Sequence, residues 1–241
     1  MTFASIRNAA QEAAKRGRLS PHQLASLTRL DERLKDHPDI LEEFTEGWRA
    51  EGSPAAPPPP QAGSVLLQVP YFSQLDNASG QGGRECASSS AAMLAAFWGK
   101  VDGDDAYNRI RARFGDTTSI DAQVAALRSL GLDARFRTDG TPALLEQELR
   151  AGRPVMVGWL HRGVVSAPSG GGHYSVVIGF DAMNWVHHDP NGEADIVNGG
   201  YVNHSKGRAI RYTRRNWERR WRPDGKGWLV LVQPLRTAPV R

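Results

Sequence analysis

Four consecutive prolines, Pro57 to Pro60, sit within the segment EGSPAAPPPPQAG (Glu51 to Gly63), and they constrain the chain more than any other feature. Proline has a fixed φ and no backbone N–H, so this run joins neither a helix interior nor a central strand. Such segments favour extended polyproline II and act as semi-rigid spacers. The sequence therefore divides into residues 1–50, a proline-rich linker at 51–64, and residues 65–241, the last long enough to bury a sizeable core.

Residues 1–50 read as a small three-helix module. Ile6, Ala9, Ala10 and Ala13 share one face of a first helix. Ser20, Pro21 and Gln23 form a capping box with proline at the first helical position, followed by Leu24, Leu27, Leu30 and Leu34 at helical spacing. After Pro38 the spacing resumes with Leu41, Phe44 and Trp48. The module carries no catalytic constellation, which leaves it as an adaptor or stability element, or as a targeting module.

Beyond the linker, VLLQVPYF (Val65 to Phe72) predicts a leading strand, then a polar loop from Asp76 to Gly83. CASSSAAMLAAFWG, Cys86 to Gly99, predicts a helix with Met93, Ala96 and Phe97 on its apolar face. Further helices are expected at Asp104–Phe114, Asp121–Leu130 and Pro142–Ala151. Strands follow at Pro154–Leu160, Tyr174–Phe180, Asn184–His188, Arg208–Tyr212 and Gly227–Val232. Helices first and strands later imply an α+β domain with a mostly antiparallel sheet.

Cys86 is the one cysteine, which excludes an internal disulfide and a cysteine-based zinc cluster. At the start of a helix its thiolate would be stabilised by unpaired backbone N–H groups and the helix dipole. His173 follows three glycines and opens a β-run; Asp189 closes the next strand, just before Pro190 and Gly192. Two adjacent antiparallel strands would bring this histidine and carboxylate side by side, the pairing that orients an imidazole as a base. Each residue alone also has an ordinary structural reading; the combination points to nucleophilic catalysis. His187 and His188 alternate across a strand, so the two cannot easily ligate one ion, and no metal or cofactor is expected.

The order VPYFSQLDN, RECASSSAAML, GGGHYSVVIGF, HHDPNG resembles the papain-like cysteine peptidases of the bacteriocin-leader-processing (double-glycine leader) type, in their stand-alone soluble branch. The resemblance spans about Val65 to Asp195 and implies a papain-like fold in which Cys86 attacks, His173 and Asp189 complete the site, and a glutamine upstream of the cysteine donates to the oxyanion. Gln74 matches that glutamine best, although it lies 12 residues before Cys86 and Gln81 lies only five before it. Alanine follows the cysteine where many relatives have glycine.

Hydrophobic residues are 40% of the chain, but no run nears the roughly 18 apolar residues of a membrane span. The first residues lack the features of a secretory signal, so synthesis and folding in a cytoplasm are expected. A helical module, a proline-rich linker and this peptidase resemblance together suggest a bacteriophage lysis or virion-associated enzyme acting on peptidoglycan stem or cross-bridge peptides after release. A protein-processing peptidase is the alternative. An inactive peptidase-like binding protein for cell wall or nucleic acid is a third reading. Lys206 to Lys226 holds nine basic residues against two acidic ones, with Tyr212, Trp217 and Trp221 among them. The expectation there is a solvated surface with its aromatic rings turned inward, and nucleic acid is not the expected partner.

Overall fold

The structure, a computed structural model, describes residues 63–235. The helical module expected at 1–50 and nearly all of the linker lie outside the described residues. Their elements run, in chain order, β1 (Val65–Leu66), two 3-10 turns (Gln74–Asp76 and Gly82–Arg84), α1 (Cys86–Phe97), α2 (Asp104–Arg111), α3 (Ile120–Ser129), β2 (Leu132–Gly140), α4 (Pro142–Arg150), β3 (Val155–Trp159), β4 (His173–Phe180), β5 (Asn184–His188), β6 (Glu193–Ala194), β7 (Tyr201–Asn203), β8 (Ile210–Thr213), α5 (Arg214–Trp221) and β9 (Gly227–Pro234).

One antiparallel sheet of seven strands carries the fold, in the order β2-β9-β3-β4-β5-β8, with β1 added beside β4. Helices beside an antiparallel sheet are the α+β arrangement expected from the order of the elements, and the one the papain-like resemblance implies. Alternation along the central strands builds two cores. On one face Met156, Val176, Val186 and Val230 pack with α1, α2 and α3 residues such as Leu94, Tyr107 and Leu127. On the other, Val157, Val177, Trp185 and Leu229 meet Leu145 and Leu149 of α4 and Trp217 and Trp221 of α5.

Helix α1 is buried almost all round, from Ala87 to Ala95, rather than on the single apolar face expected. A helix dry on every side needs small residues where neighbours press close and partners for any hydroxyl it hides. Ser88 Oγ lies 2.7 Å from Thr117 Oγ1 and accepts from Gln123 Nε2 at 3.0 Å; Ser89 Oγ donates to Asp104 Oδ2 at 3.1 Å.

The leading strand is much shorter than VLLQVPYF suggested. Pairing with β4 covers Val65 and Leu66, one more bond runs from the Leu67 N–H to Ile178 O, and from Val177 on, that edge of β4 is taken by β3. Strand β2 is one that the sequence pattern does not single out, because its charged residues Asp133, Arg135, Arg137 and Asp139 conceal an alternation in which every second residue early in the strand is buried. The basic stretch forms β8 and α5, with Tyr212, Trp217 and Trp221 all buried. Trp221 lies flat over paired Gly140 and Gly227, where a Cβ on either glycine would overlap the indole.

Candidate active site

Cys86 opens α1 and is partly exposed. Its N-cap, Glu85, makes no side-chain capping bond, so the first-turn N–H groups keep their capacity to donate. The Glu85 carboxylate turns instead into a buried bracket, accepting from Asn77 Nδ2 and Ser79 Oγ, each at 2.7 Å. That bracket holds the 77–79 loop against the start of the helix.

His173 is the first residue of β4 and only 3% exposed. The antiparallel pairing of β4 with β5 brings it to Asp189, just past the end of β5 and fully buried, with His173 Nε2 2.8 Å from Asp189 Oδ1. Since Nε2 is engaged there, Nδ1 is the nitrogen left to face Cys86, whose thiol hydrogen-bonds the imidazole. Two further donors fix the carboxylate plane: the Asn191 N–H reaches Oδ1 at 3.0 Å and the Tyr212 hydroxyl reaches Oδ2 at 3.0 Å. Backbone bonds hold the chain at Asp189 as well, its N–H donating to Gly207 O at 2.8 Å. Gly207 has to be glycine for that approach, because a Cβ would overlap the Asp189 carbonyl oxygen.

These contacts set the charges. Burial pushes the Cys86 thiol up, but the hydrogen bond and charge of His173 and the Tyr174 backbone N–H outweigh it and leave the thiol below its ordinary range. Burial alone would lower His173; the charge and hydrogen bond of Asp189, with a smaller contribution from Cys86, instead push it up to about 10. A thiol lowered beside an imidazole raised favours the thiolate–imidazolium form over the neutral pair. Such a pair holds an activated nucleophile and a proton ready for a leaving group.

The structure therefore brings Cys86, His173 and Asp189 together. Gln74 is buried in the first 3-10 turn, its Nε2 donating one hydrogen to Gly82 O at 2.7 Å, which leaves the second hydrogen of that amide for another acceptor. Gln81 is exposed on the surface at the cap of the second turn. His187 and His188 point to opposite faces of the sheet. His188 bridges Val69 O (2.9 Å) and the Ala209 N–H (3.0 Å), and His187 Nδ1 lies 3.0 Å from Ser175 Oγ.

Sequence reasoning missed the aromatic shell around His173. The rings of Trp159, His161 and Tyr201 stand 5.3, 5.7 and 5.7 Å from it, centroid to centroid. Trp159 is paired directly with His173 across β3 and β4, a neighbour that a correct pairing of the two strands would have revealed. His161 comes from a loop and Tyr201 opens the three-residue β7, and nothing in their spacing announces them. Burial and the charge of His173 lower the His161 imidazole to about 4, so it is neutral at neutral pH.

Residues 66–227 match the Peptidase_C39 like family. The chain belongs to that family. A C39-like peptidase from Bacillus anthracis superposes with a TM-score of 0.52 at 16% identity, over 73% of this chain and 99% of that one, and shares the fold. Two other solved structures are similar: a double glycine motif protease from an AMS/PCAT transporter in complex with the leader peptide (18% identity, TM-score 0.47, 70% of this chain and 94% of that one), and the peptidase domain of Streptococcus ComA, a bi-functional ABC transporter (16%, 0.43, 71% and 98%). No curated protein matches the chain. Among the described residues no helix is long and apolar enough to cross a membrane.

Proposed function

We propose that this C39-like chain is a cysteine peptidase that cuts a peptide bond in a protein or peptide substrate, with Cys86 as nucleophile, His173 as its acid and base, and Asp189 as the group that orients His173. The observation that carries this reading is a half-buried cysteine at a helix start, facing an imidazole whose far nitrogen is 2.8 Å from a buried carboxylate. The Cys86 thiolate attacks the scissile carbonyl carbon and the carbonyl electron pair moves onto oxygen. The Cys86 N–H at the helix start and the free hydrogen of Gln74 Nε2 receive that oxyanion. As the intermediate collapses, the C–N bond breaks and the His173 imidazolium gives its proton to the departing amine. Neutral His173 then takes a proton from water, whose oxygen attacks the thioester, and the acid product leaves as the thiolate and imidazolium re-form.

Family membership supports the protein-processing alternative over the wall-peptide reading, because the wall reading drew on the helical module and linker and not on any feature of the site. Open space over Gly171 and Gly172, where an added Cβ would meet nothing, suits an extended substrate backbone lying beside His173. The test uses the full chain and two substrates, a panel of unstructured peptides and purified peptidoglycan, with cleavage read by mass spectrometry. Peptide cleavage lost on alkylation of the lone thiol and in Cys86→Ala is the expected result. Hydrolysis that survives both would sink the cysteine mechanism, and release of wall fragments without peptide cleavage would restore the wall substrate.

A further inference from the structure

His187 is a fully buried imidazole that the proposed reaction does not use, and the way it is bonded gives it a task. Trp159 Nε1 donates to Ser175 Oγ at 3.0 Å, and the same oxygen lies 3.0 Å from His187 Nδ1. An indole N–H only donates, so the Ser175 oxygen is the acceptor in the first bond. The serine's own hydrogen, in a residue with no exposure, then needs an acceptor, and His187 Nδ1 is the one in reach. The chain of bonds runs in one direction, from Trp159 to Ser175 to His187, which puts the proton of the neutral imidazole on Nε2, an atom with no hydrogen-bond partner among the described residues. Burial holds that imidazole neutral, and the charges of His173 and His188 act in the same sense. Its ring is fixed in turn between Tyr212, 5.0 Å away, and Trp217, 4.6 Å away.

The free end of this chain is the indole that meets His173 edge to face, at 5.3 Å and 88°. Trp159 is 2% exposed and closes one side of the His173–Asp189 pair to water. Tyr212, the ring on the other side of His187, donates its hydroxyl to Asp189. The two arms that leave His187 thus end on the two members of the pair that the reaction depends on.

We propose that Ser175 and His187 are positioning residues for His173, acting through Trp159: their hydrogen bonds set the angle of the indole, and the indole sets where the imidazole stands between Cys86 and Asp189. The proposal rests on the peptidase reading above. It accounts for a serine and a histidine buried side by side where two apolar residues would pack at no desolvation cost.

Four variants of the full chain test it, with active sites counted by alkylation of Cys86 and the Trp159 indole N–H followed by NMR. Ser175→Ala leaves the indole without an acceptor; its resonance shifts, and kcat per active site falls about tenfold with KM little changed, as small misplacements of reacting groups do. His187→Phe keeps the ring and removes the acceptor, and falls by less. His187→Asn offers an amide oxygen near the place of Nδ1 and restores kcat to within about twofold of the native enzyme. Should Ser175→Ala fail to fold, Trp159→Phe removes the donor and keeps the packing, with the same expected loss. An unchanged kcat in the folded Ser175→Ala or Trp159→Phe protein, an indole signal that does not move in Ser175→Ala, or equal losses in His187→Phe and His187→Asn would each overturn the proposal. Turnover that persists in Cys86→Ala would remove the peptidase reading instead, and the indole resonance would still report whether Ser175 holds Trp159.

Discussion

His173 carries two opposing influences, and their balance predicts how the protein responds to pH. Burial opposes its charge while Asp189 and Cys86 favour it, with a result near 10. Because the imidazolium supplies the proton that the leaving amine needs, kcat/KM should hold through neutral pH and fall on an alkaline limb near that value, as a pH–rate profile will show. In Cys86→Ala the hydrogen bond and charge of the thiol are gone, so the midpoint of His173 moves down, measurable by NMR titration of its imidazole. The stability sign follows from the same shift. A folded-state pKa above the ordinary 6.5 contributes stability that is fully present below about 6.5 and is lost as pH rises through the folded value. Denaturation of Cys86→Ala should therefore become easier from neutral to alkaline pH, and a flat stability across that window would contradict the His173–Asp189 pairing. Asp189→Asn should spare folding and lower turnover by less than the roughly 10^4-fold of the matching change in serine triads, since a thiol ionises more readily than a hydroxyl. His188→Ala should cost less turnover than Asp189→Asn in a kinetic comparison, because His188 ties Val69 to Ala209 and bonds neither Cys86 nor His173.

Among the elements, α5 carries the least expected group in the molecule, a fully buried guanidinium with no carboxylate hydrogen-bonded to it. Arg220 donates to four carbonyl oxygens instead: Ile196 at 2.7 Å, Gly163 at 2.8 Å, and Leu160 and Arg162 at 3.1 Å each. These pin the loop after β3 to the loop after β6, and the Gly200 N–H adds a 2.7 Å bond to His161 O. His161 and Tyr201, two further rings beside His173, sit on the segments so joined. Arg220→Met would leave the Ile196, Leu160 and Gly163 carbonyls without their guanidinium donor, while Arg162 O keeps the Ser169 N–H, and should cost about 2–4 kcal/mol as measured by chemical denaturation. A loss under about 1 kcal/mol would mean that water reaches those carbonyls. The sequence showed RRNWERRW as basic and aromatic, and turning its rings inward was a sound expectation. That Arg220 also turns inward was not legible, because an arginine among arginines gives no sign of burial until four carbonyls from distant segments meet it. The strands around the site were more legible: β-branched runs bounded by turns located β3, β4 and β5 to within a residue or two at each end. Where charge interrupted the alternation, as in β2, the pattern failed for a local physical reason, since the pleat needs only every second residue to be apolar.

At the scale of the whole molecule the sheet divides the work. Its α1 side presents the proposed nucleophile, its α5 side builds the shell around the proposed base, and the open ends of β4 and β5 are where His173 and Asp189 meet Cys86. That division explains how candidate residues spread over more than a hundred positions meet on elements that all lie after Val65. It also yields a prediction about residues 51–64. A proline-rich spacer with no core-forming side chain should be cut by a broad-specificity protease well before the sheet is, because proteolysis needs a segment that can leave its surroundings and extend into the protease cleft. The C-terminal fragment should then keep the pH–rate profile and the peptide turnover of the full chain, since every group assigned to the reaction lies between Gln74 and Tyr212. Limited proteolysis with mass spectrometry, followed by assay of the purified fragment, checks both parts. A chain that resists cleavage at 51–64, or a fragment that stays folded and loses turnover, would show that residues 1–50 contribute to the site itself.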